Sequence, residues 1–343
     1  MLDRRIIILL LFLLVGPAAR AQSNVPIVSG GVGFISTTDG GSAFMQPVIA
    51  PVFAAPVGDK WLFETRVDLR GLVFKPAGSN YQARFFDTIE YAQVDYNAAP
   101  WLTIVAGRFL TPFNMYSERF SAIWIRDLQD APIILAIGTR TNGYNDGFMA
   151  RGVLVDRKSY QVNYTTYFSA LSTIRKLESG RSFGARAGVF FPHPGLEFGV
   201  SYQKLLQDQR ANSTGAYLSW QPDSVPFDLR GEYAHSLLGQ GYWLEGAYRF
   251  SRFRGADSLL GRLQAVGRAQ QFYHGEPDPT GALPGADTQR AEFGLNYYLP
   301  HEVRLNASYG RQFSSLGDRN VWNFAVTYRF LFPLYPGHKD GNP

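Results

Sequence analysis

The chain contains no cysteine, so no disulfide framework of the kind small exported domains lean on can hold it together. It also lacks any internal apolar segment of the roughly 18 residues that a membrane-crossing helix needs. The longest apolar run, Ile6 to Val15, is too short and sits at the very start. Lysine is scarce, with six residues (Lys60, Lys75, Lys158, Lys176, Lys204 and Lys339), and histidine numbers only five. The net charge of +5 over 343 residues gives no support to a nucleic-acid partner. No repeat of about 40 to 50 residues recurs, which argues against a propeller.

The N-terminus reads as an export signal: Arg4 and Arg5, the apolar run Ile6 to Val15, then Ala19-Arg20-Ala21 as a small-residue cleavage site before Gln22. Removing residues 1–21 leaves 30 basic and 27 acidic side chains, a net charge near +3.

What the rest of the chain has in abundance is alternation. In Trp61 to Leu72, WLFETRVDLRGL, the charged residues Glu64, Arg66, Asp68 and Arg70 occupy every second position, with Thr65, Val67 and Leu69 between them. A period of two is a β-strand whose faces meet different surroundings. The pattern recurs in FDLRGEYAHSL, YWLEGAYRF, RAEFGLNYYL, VRLNASYG and WNFAVTYRF. Hydrophobic residues make up 45%, yet the mean hydropathy is only -0.13, as expected when half of each strand faces hydrocarbon and half faces water.

Cutting at turn signals predicts sixteen strands: 27–38, 44–58, 61–76, 86–99, 101–113, 147–157, 159–170, 181–192, 196–206, 210–222, 226–238, 241–253, 258–274, 288–300, 303–314 and 320–332. Their connections alternate. Pro56 to Asp59, Asn97 to Pro100, Asp156 to Lys158, Pro192 to Gly195 and Pro300 to Glu302 are tight, whereas Pro76 to Phe85, Asn114 to Asp146, Leu171 to Gly180 and Gly275 to Asp287 are long. Short inner turns and long outer loops are the habit of outer-membrane barrels. Trp61, Trp101 and Tyr160 follow inner turns, with Phe191, Trp220 and Phe227 beside others, the positions of an aromatic girdle. The expected fold is therefore all-β: a 16-stranded antiparallel transmembrane β-barrel over residues 22–332, with a tail at 333–343.

A barrel of that width keeps a wet lumen unless something narrows it. The third outer loop, Asn114 to Asp146, contains FSAIWIRDLQDAPIILAIG, too apolar to stand in water, so it is expected to fold into the lumen. Period-two facing also sends Arg66, Arg70, Arg108, Arg151, Arg186, Arg230, Arg249, Arg262, Arg268, Arg290, Arg304 and Arg329 inward, against Glu64, Asp68, Asp95, Glu197, Asp228, Glu232, Glu245 and Glu292. An arginine excess in a confined channel favours anions. The expected pore and constriction residues are Arg66, Arg70, Arg108, Glu118, Arg119, Arg126, Asp127, Asp130 and Arg151.

The segments Gln93-Val-Asp95-Tyr96, Ala106-Gly-Arg-Phe-Leu-Thr-Pro-Phe113, Glu118-Arg119 and Trp124-Ile-Arg-Asp-Leu-Gln-Asp130 resemble the corresponding strand and third loop of the phosphate-selective porin O and P family. That resemblance implies a homotrimeric channel in the outer membrane of a Gram-negative cell, in contact with lipid and lipopolysaccharide. It also implies that Arg108, Arg119 and Arg126 guide anions. The expectation is a porin passing small hydrophilic solutes by passive diffusion with a mild preference for anions, phosphate among them, and with no cofactor, metal or nucleic acid. A non-conducting structural or adhesive barrel is the competing reading. An enzyme is not expected, because the five histidines are dispersed and no G-x-S-x-G occurs. The GGVG at Gly30 to Gly33 precedes no helical pattern, so it is expected to bend the first strand rather than bind a nucleotide. Asn163-Tyr-Thr165 and Asn212-Ser-Thr214 fit a glycosylation pattern but lie in or beside strands.

Overall fold

A computed structural model describes residues 25–138, 143–170, 180–207, 211–251 and 258–334. The expected signal segment, 1–21, and most of the tail lie outside these. The sixteen strands are β1 Ile27–Asp39, β2 Ser42–Val57, β3 Trp61–Lys75, β4 Gln82–Ala99, β5 Leu102–Leu110, β6 Tyr144–Asp156, β7 Gln161–Ser169 and β8 Ser182–Phe191. They continue as β9 Leu196–Leu205, β10 Asn212–Trp220, β11 Phe227–Ser236, β12 Gly239–Arg249, β13 Leu263–His274, β14 Thr288–Tyr298, β15 Val303–Ser314 and β16 Arg319–Pro333.

Each strand pairs antiparallel with its sequence neighbours, and β1 closes on β16 from Ile27↔Pro333 to Asp39↔Val321. Closure matters because an open strand edge would leave a row of backbone N–H and C=O groups without partners. All sixteen strands expected from the alternation are present, with ends differing by a few residues where local chemistry intervenes. The fifth stops at Leu110 because Thr111 and Pro112 turn the chain inward. The thirteenth begins at Leu263 because Ser258 to Leu263 form a turn, with the Arg262 N–H donating to Ser258 O at 3.1 Å.

The two faces separate cleanly. On β14, Gln289, Ala291, Phe293 and Leu295 are exposed while Thr288, Glu292, Gly294 and Asn296 are buried. Around the cylinder the outward set includes Ile49, Phe148, Phe168, Phe198, Leu244 and Phe324. So continuous an apolar surface is stable only in apolar surroundings. Toward the inner turns Trp61 packs on Tyr96 with ring centroids 4.6 Å apart, Phe191 on Phe198 at 5.9 Å and Trp220 on Phe227 at 5.9 Å. The Trp220 indole also donates to Pro194 O at 3.0 Å.

Strict alternation is broken by register shifts in β4, at Glu90 and between Asn97 and Ala99, and in β6, between Val153 and Val155. Arg66 pairs with Tyr91 but Val67 pairs with Ile89, so Glu90 is an extra residue in β4. Such a bulge switches the facing of everything beyond it. A closed ladder of this kind resists detergent: in SDS without heating the purified chain should migrate ahead of its boiled form. Identical mobility before and after boiling would contradict the closed barrel.

Candidate functional site

Between β5 and β6 the chain leaves the wall at Thr111 and returns at Gly143, with a short helix α1 at Tyr116–Phe120 and a single 3-10 turn at Leu135–Ile137. Its partners are inward-facing side chains on strands far around the cylinder, so the segment lies inside the barrel. Phe113, Met115, Tyr116, Ile134 and Ile137 pack with Tyr217, Ala234, Trp243 and Phe272 of β10 to β13. Ile123 and Trp124 pack with Ile35, Val48, Ala50 and Ala325 of β1, β2 and β16, and Leu128 packs with Ala247 and Val266. The apolar content that made the loop implausible in water is satisfied against the inner wall.

Polar anchors fix its course. Ser201 Oγ accepts from the Asn114 N–H at 2.9 Å, and Glu232 Oε1 accepts from the N–H groups of Met115 at 2.8 Å and Tyr116 at 2.7 Å. Glu118 pairs with Arg186 of β8. Arg119 makes a two-pronged pair with Glu197 of β9, both contacts at 2.7 Å. Asp127 pairs with Arg230 of β11 and Asp130 with Arg290 of β14. Arg268 donates to Asp130 O at 2.8 Å, Arg304 to Ile123 O at 3.0 Å, and Asn296 and Asn306 each to Asp127 O at 3.0 Å. Burying this many charges is tolerable only because each meets an opposite charge or a carbonyl.

The wall makes room for the loop with glycine. A Cβ at Gly31 would strike the Trp124 ring, one at Gly33 would lie 2.6 Å from Ile123 Cδ1, and one at Gly294 would lie 2.6 Å from Leu128 Cδ2. The GGVG segment thus has a use besides the bend expected of β1. Gly30, with φ +143, has the place of its missing Cβ against Ala50 O, while Gly31 and Gly33 form the seat for the loop.

The loop fills the side lined by β8 to β16 and on through β1 and β2, and leaves space against β3 to β6. A cavity of about 930 Å³ is lined by Asp68, Arg70 and Glu90 on the wall and by Arg126, Pro132 and Ile133 on the loop. A second, of about 180 Å³, is lined by Glu64, Tyr91, Gln93, Glu118 and Arg151. Leu110 borders both. Arg66 lies between Glu64 and Asp68 on the same face of β3; it pairs with Glu90 and donates to Ser121 Oγ at 2.5 Å, spanning from wall to loop.

Of the nine expected site residues, Arg70 and Arg126 border the larger cavity and Glu118 and Arg151 the smaller. Arg66 joins the wall to the loop between them. Four others sit elsewhere. Arg108 is buried in a two-pronged pair with Asp146, both contacts at 2.7 Å, beneath the Tyr144 ring. Arg119, Asp127 and Asp130 are anchors of the loop. Glu90 was missed because the bulge puts it out of phase with the inward Tyr91, Gln93 and Asp95; the sequence carries no mark of that extra residue.

The arginine excess is also spent differently from what the count implies. Arg66, Arg70, Arg108, Arg151, Arg186, Arg230, Arg268 and Arg290 all stand in ion pairs. The charged lining of the two cavities is Asp68, Glu90, Glu64 and Glu118 against Arg70, Arg126 and Arg151. The lining of these two cavities therefore carries no excess of positive charge.

No protein-family model and no curated protein sequence matches the chain. Solved structures do. The Salmonella typhi OmpF complex with daunomycin aligns with a TM-score of 0.56 at 14% identity over 89% of this chain and 97% of that one. OmpT of Vibrio cholerae lacking loop L8, an outer membrane protein, gives 0.54 at 12% over 89% and 100%. A mutant of the Rh. blastica porin gives 0.52 at 12% over 89% and 100%. At such identities the likeness is one of fold.

Arg108→Ala is expected to lower the stability of the folded barrel by about 3 kcal/mol, since it breaks a largely buried pair. A urea-unfolding midpoint will read this. The reversal potential in a salt gradient should not move.

Proposed function

We propose that the chain is an outer-membrane porin of a Gram-negative cell, a passive channel for small hydrophilic solutes. The observation that carries this is the pair of cavities, each bordered by charged side chains, left between the inward loop and β3 to β6, inside a cylinder whose outside is apolar. Solved structures of the same fold include one described as a porin and one described as an outer membrane protein, which supports the location and the activity.

In this reading Arg66, Glu90 and Ser121 form the narrowest level, where wall and loop are bridged. Arg70, Arg126, Glu118 and Arg151, with Asp68 and Glu64, set the local field above and below it. Four carboxylates against four guanidinium groups balance one another, so the passage is proposed to discriminate weakly by sign. The anion preference expected from the arginine count is not retained. Nor is phosphate guidance by Arg108, Arg119 and Arg126: Arg108 is held by Asp146, Arg119 by Glu197, and Arg126 donates to the carbonyls of Phe120, Ser121 and Gln129. The homotrimer belongs to the same proposal and rests on the resemblance alone.

Planar-bilayer recording tests it. The purified chain should give stepwise conductance with a reversal potential near zero in a potassium chloride gradient. Asp127→Ala combined with Asp130→Ala unfastens the loop from Arg230 and Arg290, removes two negative charges, and leaves each guanidinium group with only its wall carboxylate, Glu245 or Glu292. Single-channel conductance is then expected to rise and the reversal potential to move toward anions. Absence of conductance steps would favour the non-conducting structural or adhesive barrel instead.

A further inference from the structure

The larger cavity has two unlike walls. On β3 and β4, Asp68, Arg70 and Glu90 present both signs of charge within a few ångströms, with Arg70 Nη2 donating to Asp68 Oδ2 at 2.6 Å and Nη1 to Gln46 Oε1 at 3.1 Å. The Arg70 side chain is 28% exposed and Asp68 13%, so the pair is reachable from the open space. The facing wall is the loop stretch Pro132, Ile133 and Leu135. Two of its N–H groups are engaged within the protein: that of Ile133 donates to Gln270 Oε1 at 2.9 Å and that of Leu135 to Pro132 O at 3.0 Å. The side chains of that stretch are apolar, while Ser121 and Arg126 of the loop border the same cavity beside it.

Each simple class of solute is ill matched to this arrangement. An anion gains Arg70 but meets Asp68 and Glu90, and a cation gains the carboxylates but meets Arg70 and Arg126. A polyol finds hydrogen-bond partners on β3 and β4 but must shed water without replacement against the side chains of Pro132, Ile133 and Leu135. A solute with a carboxylate and an ammonium at one end and an aliphatic group at the other suits both walls at once.

We propose that this cavity favours zwitterionic solutes with apolar side chains, namely aliphatic α-amino acids and short apolar peptides. The inference rests on the channel reading above and adds the solute class. Binding of this kind speeds transit only while it stays weak enough to release, which a single half-covered aliphatic group ensures.

The test is swelling of proteoliposomes carrying the full chain in isosmotic leucine, serine, xylitol, sodium N-acetylleucine and leucine amide chloride. Leucine should enter roughly two- to fivefold faster than serine, the advantage of a partly buried aliphatic side chain. It should also outrun xylitol and both singly charged derivatives. Ile133→Ser should bring the leucine-to-serine ratio close to one, with Pro132→Ser as the second variant if the first does not insert. Asp68→Asn should bring leucine toward the rate of N-acetylleucine. Rates that follow molecular size alone in the unmodified chain would overturn the solute class while leaving the channel in place. If no solute enters at all, the channel reading falls and this inference falls with it.

Discussion

A cylinder of sixteen strands encloses more space than its inward side chains can fill, and the rest of the structure follows from how that space is occupied. Water alone would leave an open hole. Here the chain between β5 and β6 turns inward and lies against β8 to β16 and on through β1 and β2, its apolar residues on the wall and its carboxylates on wall arginines. The seat has two complementary parts. Inward glycines such as Gly33 and Gly294 permit close approach, and the pairs Asp127–Arg230, Asp130–Arg290 and Glu118–Arg186 fix position. The open space that survives is what the loop leaves uncovered.

This changes the meaning of charge in the interior. A guanidinium group facing a lumen can act on a passing ion or can hold a loop, and a pair in a dry interior is far stronger than the same pair in water. Arg230, Arg268 and Arg290 illustrate the second use: all three are largely buried, and each is shared between carboxylates, with Arg230 between Asp127 and Glu245, Arg268 between Glu245 and Glu292, and Arg290 between Asp130 and Glu292. Such groups have their field consumed locally. What borders the open space is the mixed set on β3, β4 and β6 together with Glu118 and Arg126 of the loop.

The strands were legible because alternation is imposed by the two solvents, one inside and one out, and no tertiary contact can override it without breaking the cylinder. The third loop was legible from its apolar length, since a stretch such as Ala131 to Ile137 has nowhere else to go. Which lumenal charges are free was not legible. Parity places Arg108 and Arg70 alike on inner faces, yet only contacts separate the buried partner of Asp146 from the reachable neighbour of Asp68. Glu90 was hidden for a different reason, as a one-residue bulge reverses the face without altering composition. The glycine seats were visible as GGVG but could be read only once Trp124 and Ile123 were found against them.

The absence of cysteine offers the most direct check on an inward loop that covers one side and spares the other. Single cysteines can be introduced as Thr88→Cys, facing the larger cavity, and Thr327→Cys, 2% exposed and beside Gly33 and Ile123 at the loop's seat. A charged thiol reagent added during bilayer recording should reduce current quickly in the Thr88 variant and leave the Thr327 variant unaffected. Equal, rapid modification of both would mean that the loop does not occupy that wall, and the account would fail at its base.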